Sequence, residues 1–304
     1  MPKWLQGAFQ LAITAGLIAL VLHQIDLKTA ATLLVQLRQT GWAIPMLLAA
    51  LALFNASKIV SALRTNSYQQ HRAIRVSQAD NLRLYYAGMF LNLFLPGGIG
   101  GDGYKILVLR RYAAAPVKAL IQTTLADRVN GLIILLMLSC WLWALPALTL
   151  PTWLTDVIKP SWLLSGAAVL LLAAFVVGHR RVIGMDSGQT SRVFAYGLAV
   201  QLLQLGCMTM LLLMMRVQPA DLAPYLAVFL LSSVAAVLPL TVGGLGVREL
   251  SFVYGMQWLA LDPVPGVLAS SGFFTVTLVS SLVGVIFLRR FSPNVFKAAA
   301  ENEK

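Results

Sequence analysis

Two glycine-rich breaks in this sequence are each followed by a basic residue. Residues 95–105 read LPGGIGGDGYK, and residues 238–248 read LPLTVGGLGVR. Proline and glycine end helices and turn the chain, so we expect a new helix to begin just after each break. The first amide groups of a helix have no intrahelical partner and carry partial positive charge, which favours bound anions. The sequence therefore predicts two helix starts, near Asp102 and Val247, that attract an anion.

The basic residues Lys105 and Arg248 are then expected in the first turns of these helices. A cation in this position opposes the helix dipole, so it is poorly placed for helix stability and well placed to hold an anion. Two such helix starts would enclose a polar cavity inside a membrane. In the alternative interpretation the breaks are only packing turns, and Lys105 extends its ammonium group to the membrane interface.

Further charged residues lie in an apolar run, where intramembrane charge usually marks a functional site. Asp127 and Arg128 are neighbours near the start of this run, and Asn130 follows them. Neighbours on a helix do not face each other, so Asp127 and Arg128 cannot simply neutralise one another. We consider an ion pair of Asp127 with Arg248, or of Arg128 with Glu249, as a link between the two halves of the chain.

Three more polar residues are candidates for the same space. Asn92 precedes the first break and is placed to cap or bond the broken backbone. Asn55 and Lys58 lie near the end of an apolar run, where Lys58 has the alternative of reaching the interface. The predicted substrate-binding set comprises Asn92, Gly100, Gly101, Asp102, Lys105, Asp127, Arg128, Gly243, Gly244, Arg248 and Glu249.

The elements that hold these residues are predicted to be membrane helices. The chain has 304 residues, of which 59% are hydrophobic and 11% charged, and its mean hydropathy is +0.79. Apolar runs of about 20 residues are typical of membrane spans. No small-residue cleavage pattern follows the first run, so we interpret it as a retained signal anchor. We predict six full spans, at roughly 5–22, 40–62, 120–145, 162–178, 193–215 and 266–288.

Two shorter apolar segments, 82–95 and 223–240, end at the glycine breaks. If both are ordinary spans, the basic residues of the loops divide 11 inside to 9 outside. If each segment enters the membrane, turns at its glycines and returns, the division is 16 to 4, which fits the positive-inside rule. The first segment is also about 21 Å long as a helix, shorter than the ~30 Å hydrocarbon core. We therefore predict two re-entrant helical hairpins, near 82–118 and 223–262, and cytoplasmic termini.

The net charge of +12 is explained by cytoplasmic loops. It also favours contact with anionic lipid headgroups, and we predict no nucleic-acid partner. Cys140 and Cys207 both lie in apolar runs, so we expect buried thiols and no disulfide.

The two breaks align with each other at a constant offset and without a gap, so that Leu95 matches Leu238 and Lys105 matches Arg248. Both fit the pattern L-P-x-x-[IV]-G-G-x-G-x-[KR], and each half of the chain has two spans, a hairpin and a third span. The halves begin on opposite sides of the membrane, which is typical of an inverted-topology repeat. We predict an all-α polytopic membrane protein with one half in 1–150 and the other in 151–304. The alternative is chance similarity between two glycine-rich segments.

The segments NLFLPGGIGGDGYK and LPLTVGGLGVRELSF resemble motifs of the lysylphosphatidylglycerol synthase transmembrane-region family, the flippase portion of the multiple peptide resistance factor. The likeness covers nearly the whole chain. It implies that Asn92, Asp102, Arg248 and Glu249 are the motif residues, together with the glycines. It also implies a polytopic fold that moves an aminoacylated phospholipid between leaflets. The full-length factor continues into a soluble aminoacyl transferase domain, whereas only positions 289–304 follow the last predicted span here, so we expect no lipid aminoacylation by this chain.

On this basis we expect a flippase or transporter of the bacterial inner membrane that acts on a phosphate-bearing lipid. The sequence contains no Walker A, D-x-D, G-x-S-x-G or H-E-x-x-H motif, so we predict no cofactor, no metal and no catalytic residues. Two alternatives stay open. One is an accessory scaffold for a lipid-modifying or glycosyltransferase partner, and the other is an integral-membrane enzyme that acts on a lipid-linked phosphate.

Overall fold

The computed structural model describes residues 3–39, 41–94, 100–145, 161–237 and 241–291. Within these ranges the chain is helical and contains no strand. The Leu-Pro dipeptides of both breaks lie outside the described residues. The first half contains α1 (Lys3–Gln24), α2 (Leu27–Gln39), α3 (Ala43–His71), α4 (Gln78–Phe94), α5 (Gly100–Tyr112) and α6 (Val117–Trp143). The second half contains α7 (Ser161–Val177), α8 (Ser187–Met214), α9 (Leu222–Ala235), α10 (Val247–Trp258) and α11 (Pro263–Arg290).

Within the part of the chain that the structure describes, five helices are long and apolar enough to cross a membrane: α3, α6, α8, α11, and α7 together with the π-helical turn Gly178–Ile183 that continues it. A sixth span arises if α1 and α2, which meet at a bend of 91°, are counted as one broken helix. The chain is therefore a multi-pass membrane protein whose described residues are helical and contain five or six candidate spans. The re-entrant course of α4–α5 and of α9–α10 stays a prediction.

The bend between α1 and α2 has a local cause in Asp26. Its carboxylate accepts a hydrogen bond from the amide of Lys28 at 2.9 Å and another from the hydroxyl of Thr29 at 2.7 Å. An aspartate in this position satisfies free amide groups at a helix start, so a new helix begins here. Helix α2 was not predicted, because it lies between the predicted spans 5–22 and 40–62.

Helix α3 extends well beyond the predicted span 40–62 and ends at His71. Its last two turns are polar in sequence, yet Arg64, Tyr68 and Gln69 are buried there. The helix continues past the predicted span because Arg64 and Tyr68 have side-chain partners inside the protein. Buried polar groups are stable in a helix when they are hydrogen-bonded.

The packing of the helices repeats when the two halves are exchanged. Helices α3 and α8, which are equivalent in the predicted repeat, form the most extensive helix pair. Helix α4 packs on α11, and the equivalent helix α9 packs on α6. The pairs α4–α5 and α5–α6 likewise have counterparts in α9–α10 and α10–α11. This reciprocity supports the two-half organisation, which stays a prediction as a repeat inverted in the membrane.

A cluster around Asp80 joins the first-half hairpin to the end of α11. Its carboxylate accepts hydrogen bonds from Ser77 and Arg83, both at 2.8 Å, and from the hydroxyl of Tyr112 at 3.0 Å. The guanidinium of Arg290 lies 3.5 Å away. Burial by itself would raise the pKa of Asp80, but these hydrogen bonds and the charge of Arg290 lower it below its ordinary value. One ionised side chain thereby holds together the start of α4, the end of α5 and the end of α11.

Candidate functional site

A cavity of about 600 Å³ lies between the two halves. Its walls come from α3, α4, α5, α6, α8 and α9 and from the start of α10. Among the described residues, five basic and two acidic side chains line it, which leaves three positive charges in excess. We call this space the charged cavity. Its charged lining residues are Lys58, Arg64, Asp102, Lys105, Asp127, Arg128 and Arg248.

The first glycine break is closed by a side-chain cap. The carboxamide oxygen of Asn92 accepts a hydrogen bond from the amide of Gly101 at 2.8 Å, so the prediction that Asn92 bonds the broken backbone is confirmed. The cap requires α4 and α5 to approach closely. A Cβ atom on Gly101 would collide with the backbone of Gly88. Glycine at both positions therefore allows the two limbs of the hairpin to touch.

Asp102 lies in the first turn of α5 and forms ion pairs with two basic side chains. Its Oδ2 accepts from Nε of Arg128 at 2.5 Å, and its Oδ1 lies 3.4 Å from the ammonium of Lys105. A carboxylate is favourable at this end of a helix. Lys105 is in the second turn rather than the first, because α5 already begins at Gly100. Its ammonium group also lies 4.5 Å from the centre of the Tyr85 ring.

The second break is built from glycines with left-handed backbone. Gly243, Gly244 and Gly246 have φ angles of 61°, 81° and 87°, which other residues rarely adopt. The carboxylate of Glu249 then accepts the amide of Gly246 at 2.7 Å and the hydroxyl of Ser270 at 2.8 Å. Glu249 is 4% exposed and closes the start of α10, where we predicted it to bind substrate. Helix α10 begins at Val247, as predicted.

Arg248 lies in the first turn of α10, as predicted, and faces aromatic rings. Its Nη1 donates to the hydroxyl of Ser233 at 2.9 Å. Its guanidinium carbon lies 4.9 Å from the centre of the Phe273 ring and 5.2 Å from that of Phe229. Such cation–π contacts stabilise a guanidinium without neutralising its charge. Arg248 therefore brings a full positive charge to the cavity wall.

Asp127 is paired with Arg64, a residue that the sequence interpretation missed. Nε of Arg64 donates to Oδ1 of Asp127 at 2.7 Å, and the two side chains are 7% and 16% exposed. Nη1 of Arg64 donates to Asn130 at 3.3 Å. Asn130 in turn donates to the hydroxyl of Tyr68 at 2.9 Å, which bonds Nε2 of His179 at 2.6 Å. A buried polar network thus holds Arg64 against α6, and it connects α3 and α6 with the π-helical turn that follows α7.

The predicted ion pairs between the halves were therefore wrong. Asp127 pairs with Arg64 instead of Arg248, and Arg128 pairs with Asp102 instead of Glu249. Both observed pairs lie within the first half. The prediction failed because Glu249 is engaged at the cap of α10, whereas Asp102 reaches Arg128 directly from the start of α5.

The charged cavity brings together most of the predicted site and leaves a few residues outside its wall. Lys58 lines it, so this part of the prediction is confirmed. Asn55 faces elsewhere and bonds Ser280 at 3.0 Å and Tyr86 at 2.7 Å. The predicted residues on the wall are Asn92, Asp102, Lys105, Asp127, Arg128, Gly243, Gly244 and Arg248, whereas Gly100, Gly101 and Glu249 are not part of it.

Several polar wall residues besides Arg64 were not predicted. The constant offset that relates the two breaks also pairs Lys58 with Gln201, so extending the repeat along the helices would have found Gln201. Gln204 and Ser233 had no such signal, because single polar residues in apolar runs are common. The polar wall residues outside the predicted set include Arg64, Thr65, Gln69, Tyr85, Thr123, Thr124, Gln201, Gln204, Ser233 and Thr241.

Comparison with known proteins identifies the family of this chain. No curated protein matches it. Residues 7–185, more than half of the chain, match the family model described as lysylphosphatidylglycerol synthase TM region. The matched residues include the first glycine break and the Arg64–Asp127 pair, and they end before the second break. The chain belongs to the lysylphosphatidylglycerol synthase transmembrane-region family.

Proposed function

We propose that the protein is a transporter of the bacterial inner membrane that moves a phosphate-bearing lipid between leaflets. Membership of the family connects the chain with membrane lipids. The observation that carries the finer proposal is the charged cavity, which has three positive charges in excess and lies between the two halves. A phosphate there would accept charge-assisted hydrogen bonds, which are the strong ones.

The position of the cavity supports transport rather than storage of a ligand. Both glycine breaks contribute to its wall, through Asp102 and Lys105 on one side and Gly243 and Gly244 on the other. In transporters built from inverted repeats, the substrate site lies between the repeats near the bilayer midplane, where broken helices meet. The reciprocal packing of the two halves is compatible with such an arrangement.

A neighbouring apolar cavity supports an amphiphilic substrate. Its volume is about 370 Å³, and its lining comes from α3, α6 and α7, including the π-helical turn. It shares the α6 residues Thr123 and Val129 with the charged cavity. One face of α6 therefore separates a polar space from an apolar one. This arrangement suits a headgroup on one side and an acyl chain on the other.

The proposal includes no chemical step and no cofactor. We place the termini in the cytoplasm on the basis of the charge distribution. A lipid-modifying enzyme or glycosyltransferase that supplies the substrate is the proposed kind of partner.

The test is translocation of fluorescent phosphatidylglycerol in liposomes that contain the purified protein. Replacing Arg248 by Ala should lower lipid affinity by about one to two orders of magnitude, because a hydrogen bond to a charged group is worth roughly 1.5–3 kcal/mol. Lys105→Ala should have a smaller effect, since Lys105 already pairs with Asp102. Arg248→Lys should restore only part of the loss, because lysine cannot grip phosphate with two parallel donors.

The double variant Lys105→Ala/Arg248→Ala should lose less than the sum of the single effects if both residues hold one phosphate. Arg111→Ala, which removes an exposed cation at the end of α5, is the matched control and should behave like the wild type. Melting temperature monitors folding. Folded Arg248 variants that translocate lipid at the wild-type rate would rule out this site.

A further inference from the structure

The two carboxylates of the charged cavity are both committed to protein cations. Asp102 is held by Arg128 and Lys105, and Asp127 by Arg64. Each carboxylate is also close to the protein interior, with side-chain exposures of 9% and 16%. A ligand ammonium group would have to displace one of these internal cations to pair with Asp102 or Asp127.

Two cations of the same cavity, Lys58 and Arg248, differ from these paired carboxylates. Among the described residues, neither Lys58 nor Arg248 has an acidic partner within 4.0 Å. The ammonium of Lys58 lies 4.2 Å from the centre of the Phe54 ring, and Arg248 lies over Phe273. The rings of Phe54 and Phe273 are themselves in edge contact, with centres 5.6 Å apart. Each ring of this aromatic pair thus lies beside one positive charge.

Lys58 and Arg248 share a side chamber of about 180 Å³. Gln204, Gly243 and Gly244 line both this chamber and the charged cavity, so the two spaces adjoin. A water molecule occupies about 30 Å³ in the liquid, so the chamber has room for a small polar group. Like charges at short range repel strongly in a medium of low dielectric constant, and an anion between them removes this repulsion.

Glu249 also lines the side chamber, but its oxygens are engaged. One oxygen accepts the amide of Gly246, and the other accepts the hydroxyls of Ser270 at 2.8 Å and Ser271 at 3.5 Å. Glu249 follows Arg248 directly on α10, so the two side chains point in different directions. The two cations of the chamber are therefore available to a ligand, whereas the carboxylate of Glu249 is engaged in capping α10.

We infer that the side chamber binds the phosphate of the transported lipid through Lys58 and Arg248, and that the headgroup carries no ammonium group beside this phosphate. The inference rests on the proposed function and narrows its substrate class to lipids with a net negative headgroup. An arginine offers paired donors to phosphate, and a lysine adds a point charge.

A lysyl headgroup brings ammonium groups into a wall with excess positive charge. Asp102 and Asp127 on the cavity wall are already paired with protein cations, and the oxygens of Glu249 in the side chamber are already hydrogen-bonded to Gly246 and Ser270, so juxtaposed like charges oppose binding of such a headgroup. The inferred substrate thus differs from the aminoacylated lipid in the name of the family.

The experiment measures binding to the purified full-length protein in detergent by native mass spectrometry and thermal shift. The probes are phosphatidylglycerol, lysylphosphatidylglycerol with the same acyl chains, and inorganic phosphate. We expect wild-type protein to bind phosphatidylglycerol at least about tenfold more tightly than the lysyl form, and inorganic phosphate to compete with it only weakly. Equal or tighter binding of the lysyl form would overturn the headgroup assignment. Inorganic phosphate that binds as tightly as the lipid would overturn the assignment of the chamber to a lipid.

Variants locate the site. Lys58→Met and Arg248→Gln should each weaken binding of phosphatidylglycerol by about tenfold or more and reduce its preference over the lysyl form. Lys118→Met, which removes an exposed cation at the start of α6, is the matched control. Unchanged binding in both chamber variants would overturn the assignment of the chamber. If a variant does not fold, the competition on wild-type protein still decides the headgroup class.

The outcomes separate this inference from the proposed function. A protein that binds phosphatidylglycerol selectively but does not translocate it would contradict transport and leave the chamber in place. A protein that translocates lysylphosphatidylglycerol as fast as phosphatidylglycerol would support transport and contradict the chamber's selectivity.

Discussion

Arg64 and Asp127 form an ion pair, and the loss of either member should lower the stability of the protein. Their side chains are 7% and 16% exposed, so the ion pair is largely removed from solvent, and Arg64 is also bonded to Asn130. Removing one member of a buried pair leaves the other charge uncompensated, which typically costs about 3–5 kcal/mol. Replacing both members by apolar side chains of similar volume is often close to neutral.

We therefore predict that Arg64→Met lowers the free energy of unfolding by about 3–5 kcal/mol and that Arg64→Met/Asp127→Leu recovers most of this loss. Reversible unfolding in mixed detergent micelles gives the four corners of the double-mutant cycle. A loss below about 1 kcal/mol for the single variant would show that Asp127 finds another partner.

At the residue scale the sequence located charged groups better than their partners. Asp127 and Arg128 were predicted because charge in apolar surroundings is costly and conspicuous. Asp102, Lys105 and Arg248 were predicted because they stand where new helices are expected after the glycine breaks. Arg64 was missed because it stands at the polar end of an apolar run, where a loop is the ordinary interpretation. Which cation meets Asp127 depends on how α3 approaches α6, and no local pattern encodes this approach.

The two breaks place equivalent glycines in different elements. Gly103 and Gly246 occupy matching positions when the breaks are aligned. Gly103 lies inside α5, with open space around the position of an added Cβ. Gly246 has a φ of 87°, and an added Cβ would lie 2.8 Å from Cβ of Leu17 on α1. The same substitution should therefore have opposite effects at the two positions.

We predict that Gly103→Ala leaves the protein equally stable or stabilises it by up to about 1 kcal/mol, because alanine is the better helix former. Gly246→Ala should destabilise it by about 1–3 kcal/mol, the cost of a strained backbone, with the contact to α1 adding to the loss. Melting temperatures of the two variants check the pair. A Gly246→Ala protein with the melting temperature of the wild type would contradict the left-handed backbone at this position.

At the element scale the long apolar helices were predictable, and their ends and bends were not. The limits of α6 and α11 follow their apolar runs within a few residues. Helix α2 was missed although Asp26 and Thr29 form a recognisable helix start, because only long apolar runs were predicted to be helices. The extent of α3 depends on partners for Arg64 and Tyr68 that lie on other elements of the fold.

The membrane topology is tested at the scale of the whole molecule. The re-entrant model places Arg111 and its neighbours in the cytoplasm and Gln218 outside, whereas eight ordinary spans reverse both positions. We predict that Gln218→Cys, and not Arg111→Cys, reacts with an impermeant thiol reagent added to intact spheroplasts. Both residues are exposed, and the native Cys140 and Cys207 are replaced by alanine beforehand. Labelling of Arg111→Cys from outside would contradict the re-entrant model.

The two-half organisation is a prediction that rests on the gapless alignment of the breaks, whereas the side chamber could not be predicted from the sequence. The chamber requires Lys58 of α3, Phe273 of α11 and Arg248 of α10 to meet. These residues are distant in the sequence and share no motif. Only the packing of α3 and α11 brings their rings and charges together.

The excess of three positive charges in the cavity wall has an electrical consequence for the proposed transporter. A charge that crosses the membrane potential gains or loses about 2.3 kcal/mol per 100 mV. A monoanionic headgroup bound in the side chamber would cancel one of the fixed charges, so loaded and empty proteins would respond differently to voltage. The voltage across a bacterial inner membrane, negative inside, favours outward movement of an anion. On this proposal the membrane potential itself can drive the lipid outward without a nucleotide.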